Sequence, residues 1–383
     1  MTLNQRIGAS RRLPLRSGLH HLPIGSFEPE LGGRLDEVSL AYETWGALDA
    51  SGTNAVLVTH ALTGDSHAAG GADENHKRGG WWEPVIGAGR PIDTDEYFVI
   101  CSNVLGGCAG STGPESTDPY TGRPYGMRFP TITIRDIVRA QKRLLDELGV
   151  RKLALVAGGS IGGQQALEWP VEFPDFVEKS LVVAATDALG PQGLGMSEIG
   201  RRAITADPDW QGGDYYGTGK TPDSGLSIAR MAGMMTYQSA ECQSERFGRN
   251  PATKGRSRTE NPGGTFDVEC YLQYQGNDLV GRFDANSYLY LLRAMDLYDA
   301  AHGYSSLEEA FGRIEAETRF VGISSDWLFP AKDVEATARA AASAGANASY
   351  VEMESINGHD AFLKDWDEFN AVVSSFTAYT ERG

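Results

Sequence analysis

The sequence predicts an α/β fold: a mostly parallel sheet with helices on both faces, interrupted by a helical insertion. Three observations carry that expectation. Apolar runs of strand length recur along the chain, and several are continuously apolar, as in strands covered on both faces. Helical patterns lie between some of them, and strands alternating with helices point to a parallel sheet. The alternation stops near residue 189 and resumes near residue 304.

The strand-like runs, in chain order, are VSLAYETWG, NAVLVTHALTG, EYFVICSNVLG, KLALVAG, KSLVVAA, TRFVGIS and ASYVEM. A helix is expected over 133–148, where Thr133 and Asp136 form a capping box. Its apolar face is Ile134, Ile137, Val138, Leu145 and Leu148, and Gly149 stops it. A closing helix is expected over about 362–380, with Phe362, Trp366, Phe369, Val373 and Phe376 on one side. Between them, LSIARMAGMMTYQSAEC and ANSYLYLLRAMDLYDAAHG read as helices in a region without a strong strand. The expected organisation is a core at 1–188, a helical insertion at 189–303, and the rest of the core at 304–383.

Composition narrows the function class. The 383 residues are 41% hydrophobic and 22% charged, ordinary for a soluble globular protein. The N-terminus lacks the apolar segment of a secretory signal. No apolar run approaches the roughly 20 residues of a membrane helix. Cytoplasm is therefore the expected location. Four cysteines are too few for a disulfide framework, and Cys101 and Cys108 do not have zinc spacing. All four are expected to be reduced thiols, mostly buried. The net charge of −17 argues against nucleic acid and against an anionic membrane. It leaves room for an anionic small molecule held by a local basic patch. RFGRNPATKGRSR, with five basic residues between Arg246 and Arg258, is either a solvated loop or a contact for cofactor phosphates.

The chemistry centres on Gly158-Gly159-Ser160-Ile161-Gly162, a G-x-S-x-G motif between an apolar strand and a helix. That context marks a nucleophile elbow: a strained turn with a serine hydroxyl projecting above the sheet. The glycines permit the turn and the close packing of helix on strand. The amide of Ile161, at the helix start, points at any oxyanion formed beside Ser160. A glycine-rich phosphate loop is the plainer alternative.

Such a serine needs an acid and then a histidine downstream. Only His302 and His359 follow it. His302 ends a helical stretch of the insertion and reads as a cap or surface residue. His359 lies just after the strand ASYVEM and before the last helix, where a catalytic histidine belongs. Asp326 follows the strand TRFVGIS, one strand before the histidine, and is preferred over Asp187 at the end of LVVAATD. The second oxyanion amide is expected from Leu62, in the loop after NAVLVTH. His60, His67 and Asp65 read as packing or structural residues. YYGTGKT resembles a phosphate-binding loop but has Asp214 where that motif needs glycine. GWWEP reads as a packed loop anchor.

HALTGDSH, GWWEPVIGAGRPIDTDEYFVICSNVLGGCAGSTGP, FPTITIRDIVRAQKRLLDELGV, GGSIGGQQALEW and NGHDAFL together resemble the homoserine O-acyltransferase family, chiefly its O-acetyltransferases. The resemblance covers about 35–376 and implies the α/β-hydrolase fold, with the insertion as a helical lid. The family usually has methionine after the nucleophile, where this chain has Ile161; only the backbone amide is needed there. The resemblance implies acetyl-CoA as co-substrate, L-homoserine as acceptor, no permanently bound cofactor, no metal, and a homodimer formed through the lid. It maps catalytic residues onto Ser160, Asp326 and His359, and substrate residues onto Arg230 and Asp360. An arginine fork suits the acceptor's carboxylate and an aspartate its ammonium. Tyr237, one helical face along from Arg230, is placed to assist. Succinyl-CoA or L-serine as substrates, or hydrolysis on the same triad, remain as alternatives.

Overall fold

The computed structural model describes residues 18–72, 76–252 and 265–378. Its centre is an eight-stranded sheet. The strands are β1 (His20–Phe27), β2 (Leu35–Trp45), β3 (Ala55–Thr59), β4 (Phe98–Ser102), β5 (Leu153–Gly159), β6 (Lys179–Val183), β7 (Glu317–Ile323) and β8 (Ala348–Met353). They lie in the order β1-β2-β4-β3-β5-β6-β7-β8. β2 pairs antiparallel with both neighbours, and the pairs from β4 to β8 are all parallel.

The continuous apolar runs have the expected cause. In β3, Leu57 packs on one side of the sheet with Ile137, Leu144 and Leu167. Val56 and Val58 pack on the other with Trp82, Phe369 and Val373. Each strand side chain is thus buried whichever face it takes, so no alternation is visible in the sequence. Helix α1 (Ile134–Glu147) is capped by Thr133, whose hydroxyl accepts from the Asp136 amide while the Asp136 carboxylate accepts from the Thr133 amide. Gly149 then takes φ +82° beyond the helix end.

All seven expected strands form. β1 is an addition that sequence reading missed. It is an edge strand with a half-exposed, alternating pattern and with Pro23 and Gly25 inside it. Proline is tolerated at such an edge, and together with glycine it hides the strand from a propensity argument.

Between β6 and β7 the described chain is helical: α3 (Pro191–Thr205), α4 (Asp223–Tyr237), α5 (Ala240–Phe247), α6 (Asp267–Val280), α7 (Ala285–Leu297) and the short α8 (Leu307–Phe311). An antiparallel bridge between Ala188 and Asp299 brings the two ends of most of this segment together at the sheet. α9 (Ala331–Ser343) follows β7. The closing helix is shorter than expected: α10 is Trp366–Thr377. Phe362 belongs to a separate 3₁₀ turn, Gly358–Leu363. The Asp365 carboxylate accepts from Ser355 and Asn357, which anchors the chain between turn and helix. Periodicity alone cannot separate a one-turn segment from the helix it precedes. No described helix is long and apolar enough to cross a membrane.

Candidate active site

Ser160 is the single residue between β5 and α2 (Ile161–Glu172). Its backbone sits at φ 63°, ψ −129°, a conformation that costs of order 1–3 kcal/mol for a residue with a Cβ. Two hydrogen bonds hold it there: Ser160 N donates to Val183 O at 3.0 Å, and Gln164 N donates to Ser160 O at 3.0 Å. The positive φ belongs to Ser160 and to none of its glycine neighbours. Those glycines serve close approach. A Cβ on Gly162 would lie 2.2 Å from Thr59 O, and one on Gly158 would lie 2.1 Å from the Thr59 hydroxyl. α2 can therefore sit directly against the end of β3.

Asp326 and His359 meet 33 residues apart in sequence, with His359 Nδ1 2.6 Å from Asp326 Oδ2. Asp326 Oδ1 accepts from the amides of Leu328 at 2.8 Å and Phe329 at 3.1 Å. The carboxylate is thus fixed by backbone on one oxygen and by imidazole on the other. Both side chains are buried. Burial pushes the His359 pKa down, but the Asp326 charge and hydrogen bond, with a further contribution from Asp360, leave it above the ordinary 6.5. His359 Nε2 is buried and has no hydrogen-bond partner among the described residues. Phe362, 5.8 Å from the His359 ring centre, lies over Gly159, where a Cβ would meet its ring at 2.5 Å. The 3₁₀ turn thereby docks His359 onto the elbow.

The rival residues have other partners. Asp187 accepts from the Thr337 hydroxyl at 2.7 Å. His302 is exposed, and its carbonyl accepts from Arg135 at 2.9 Å. His60 is buried; its Nε2 accepts from the Val104 amide at 3.2 Å, which makes Nδ1 the donor to Ala61 O at 2.8 Å. Burial lowers its pKa, so the ring is neutral. Asp65 accepts from the His67 amide at 3.0 Å. Trp82 is buried and donates to Phe362 O at 3.1 Å, which makes GWWEP a loop anchor. Burial pushes the Cys101 thiol well up, and Cys108 up to about 12, so neither is a competing thiolate nucleophile at neutral pH.

Leu62 and Ser160 line a cavity of about 30 Å³ together with Met196, Leu292, Met295 and Leu328. Ile161 opens α2, so its amide is among those a helix leaves without an internal acceptor. In the helical segment between β6 and β7, α4 carries Arg230 and Tyr237. The Arg230 guanidinium lies 5.4 Å from the Tyr237 ring centre, and that ring lies 6.0 Å from His359. Arg230 Nη1 is 3.4 Å from Thr63 Oγ1, while its buried Nε has no partner among the described residues. Asp360 accepts from Lys364 at 3.1 Å and is near enough to His359 and Tyr237 to raise both pKa values. The arrangement brings a strained serine, a paired imidazole, a cation and a second carboxylate to one place. Sequence reasoning missed Thr63 and Arg282, whose guanidinium donates to Thr63 O at 2.8 Å. No local pattern marks a contact across 219 residues.

Glu43, His67 and His76 are the group best placed for a metal among the described residues, with ligand atoms within 4.8 Å of one another. Their atoms are already joined: His67 Nδ1 to Glu43 Oε2 at 2.9 Å and His76 Nε2 to Glu43 Oε1 at 3.0 Å. The two rings stack at 3.9 Å with planes 8° apart, so those planes do not converge on one ion. The basic run at 246–258 lies partly outside the described residues; within them, Arg246 stacks over Phe247 and Tyr271, and Arg249 over Phe266.

Comparison with known proteins agrees with this geometry. The alpha/beta hydrolase fold family matches residues 54–365. A homoserine O-acetyltransferase of Symbiobacterium thermophilum is 52% identical over 91% of this chain and 90% of its own. The chain belongs to the homoserine O-acetyltransferase family. The crystal structure of the Bacillus anthracis homoserine O-acetyltransferase superposes with a TM-score of 0.87 at 31% identity, covering 95% of this chain and 98% of that one. Esterase E22 superposes at 0.86 and 28% identity, over 94% of this chain and 100% of its own. Membership makes this protein an enzyme, an acyltransferase on the α/β-hydrolase fold.

Proposed function

We propose that the protein transfers an acetyl group from acetyl-CoA to the side-chain hydroxyl of L-homoserine, on the route to methionine, by a ping-pong mechanism. His359 takes the proton of Ser160, and the serine oxygen attacks the thioester carbonyl. Asp326 holds the imidazole in the correct tautomer and offsets its charge once protonated. The Leu62 and Ile161 amides stabilise the tetrahedral oxyanion. The intermediate collapses, and CoA leaves with the proton from His359. The homoserine hydroxyl then gives its proton to His359, attacks the acyl-serine, and regenerates Ser160.

The observation that carries the acceptor is the unpartnered Arg230 Nε, on a guanidinium set over the Tyr237 ring that in turn neighbours His359, with Asp360 near the same imidazole. A cation and a carboxylate flanking one base match the two ends of an amino acid. The names of the relatives support the same acceptor. A small cavity beside Ser160, without a charged residue in its lining, favours an acetyl group over a succinyl group with its carboxylate. The free cysteines fit a reducing cytoplasm. Ile199, Ile228, Met235 and Tyr274 are exposed on α3, α4 and α6, which supports a homodimer through the lid.

Hydrolysis on the same triad is the second reading, favoured by the likeness to esterase E22. Release of CoA thiol from acetyl-CoA and succinyl-CoA, each with L-homoserine, L-serine or water, decides among these. Acetyl-CoA with homoserine should be the fastest pair, with one acetyl adduct on the Ser160 peptide when acceptor is withheld. Release independent of any acceptor would make the protein a hydrolase. An adduct on a cysteine peptide would end the serine mechanism.

A further inference from the structure

The loop that carries Leu62 is held from two sides. On the sheet side, His60 donates to Ala61 O at 2.8 Å while accepting from the Val104 amide at 3.2 Å. Gly64 N closes a tight turn onto Ala61 O at 2.9 Å. On the other side the loop meets the lid. Arg282, two residues past the end of α6, donates to Thr63 O at 2.8 Å. Arg230 of α4 reaches the hydroxyl of the same threonine at 3.4 Å. The peptide that presents the Leu62 amide therefore lies between a clamp from the core and a clamp from the lid.

Bringing two guanidiniums to one threonine has an electrostatic cost. Burial, and then the positive charge of Arg230, push the Arg282 pKa down. Asp278, which ion-pairs with Arg282 at 3.5 Å and also with Arg78, offsets part of it. A lid needing only an apolar seal on the core would not require this pair. What the arrangement achieves is a charge-assisted hydrogen bond on a loop carbonyl, stronger and more directional than a neutral contact.

We propose that Arg282 is a positioning residue for the oxyanion site: its bond to the Thr63 carbonyl holds the 61–64 loop so that the Leu62 amide faces the reacting carbonyl. The proposal rests on the reading of Leu62 as an oxyanion donor. It makes the acylation of Ser160 depend on a lid residue that touches neither donor nor acceptor. Preorganised donors act in proportion to how well they are aimed, and loss of one whole donor costs about 10²–10³-fold. Loss of its aim should cost a fraction of that.

The test uses p-nitrophenyl acetate with the full chain, because this ester acylates serine without CoA and without homoserine. The acylation burst is measured in the parent, Arg282→Met and Arg282→Lys, beside a thermal melt of each. The expected result is a burst rate reduced about tenfold or more in Arg282→Met, with half-saturation for the ester unchanged and the pH midpoint of acylation unmoved. Arg282→Lys, which can still donate one hydrogen bond to the carbonyl, should recover most of the rate. A parent-like burst in Arg282→Met overturns the proposal. So does a defect confined to the KM for acetyl-CoA, which would make Arg282 a donor contact. Equal losses in both variants, with equally lowered melting temperatures, would make its role a structural one and also overturn it. Release of p-nitrophenol that survives Ser160→Ala unchanged would instead refute the acyl-serine reading itself.

Discussion

The elbow around Ser160 and the helical segment proposed as its lid are positioned by opposite means. At the elbow, position is set by backbone. Ser160 is held at a positive φ by hydrogen bonds to Val183 and Gln164, and its glycine neighbours leave no room for a Cβ beside Thr59. At the lid, position is set by long side chains: Arg230 and Arg282 extend across the boundary to a single threonine. Bond-making geometry tolerates errors well under an ångström, and rigid backbone delivers that. The recognition of a charged, mobile acceptor proposed for Arg230 tolerates more, and a flexible side chain suffices. Changes at the elbow and its relay should therefore abolish chemistry, and loss of Arg230, the lid residue proposed to hold the acceptor, should divide the two half-reactions.

The largest effect expected is at Asp326. Asp326→Asn should lower the rate of both half-reactions by about 10⁴-fold, because the imidazole loses its tautomer and its charge partner. Asp187→Asn should leave turnover near normal, since Asp187 is engaged with Thr337. Steady-state kinetics of the pair checks this, and the reverse pattern would reassign the acid. Next comes Arg230→Ala. Acyl-enzyme formation should persist near the parent rate while transfer to homoserine falls about ten- to more than a hundredfold, the worth of a charge-assisted contact of about 1.5–3 kcal/mol. Arg230→Lys should recover little, as an ammonium lacks the two-pronged geometry. Equal slowing of both steps would erase the contrast between elbow and lid.

The smallest effect expected is a shift in pH dependence. In the proposed mechanism the neutral form of His359 is the base, and its pKa is raised above 6.5 in the folded protein. Acylation should therefore rise with pH through a midpoint above that value. Asp360 is one of the groups holding the pKa up, so Asp360→Asn should move the midpoint to lower pH. A midpoint that stays in place would remove Asp360 from the electrostatics of the base. The same raised pKa makes protonated His359 a contributor to folding stability below pH 6.5. That contribution is lost as pH rises through the folded-state value.

Particular elements show how far the chain could be read before its structure was known. α1 lies within its expected span because cap, apolar face and stop glycine are local signals. The Asp326–His359 pair could be anticipated because strand order restricts where an acid and a histidine can meet near an elbow serine. β1 was missed because its half-exposed edge position permits proline and glycine. The turn that carries His359 was misread at Phe362 as the start of α10, although Phe362 instead packs over Gly159.

The sequence by itself determined the layered α/β core, the elbow serine and the pairing of an aspartate with a histidine past the later strands. Each of these leaves a local trace: a continuous apolar run, a cluster of glycines, a residue type just past a strand. Only the tertiary structure decided that the strain sits on Ser160 rather than on the glycines, that Asp187 turns to Thr337, and that Arg282 closes on Thr63. These outcomes depend on side chains meeting across 150 residues or more, or on which of several adjacent residues absorbs a turn. Such choices are settled by packing of the whole chain, which no short stretch encodes.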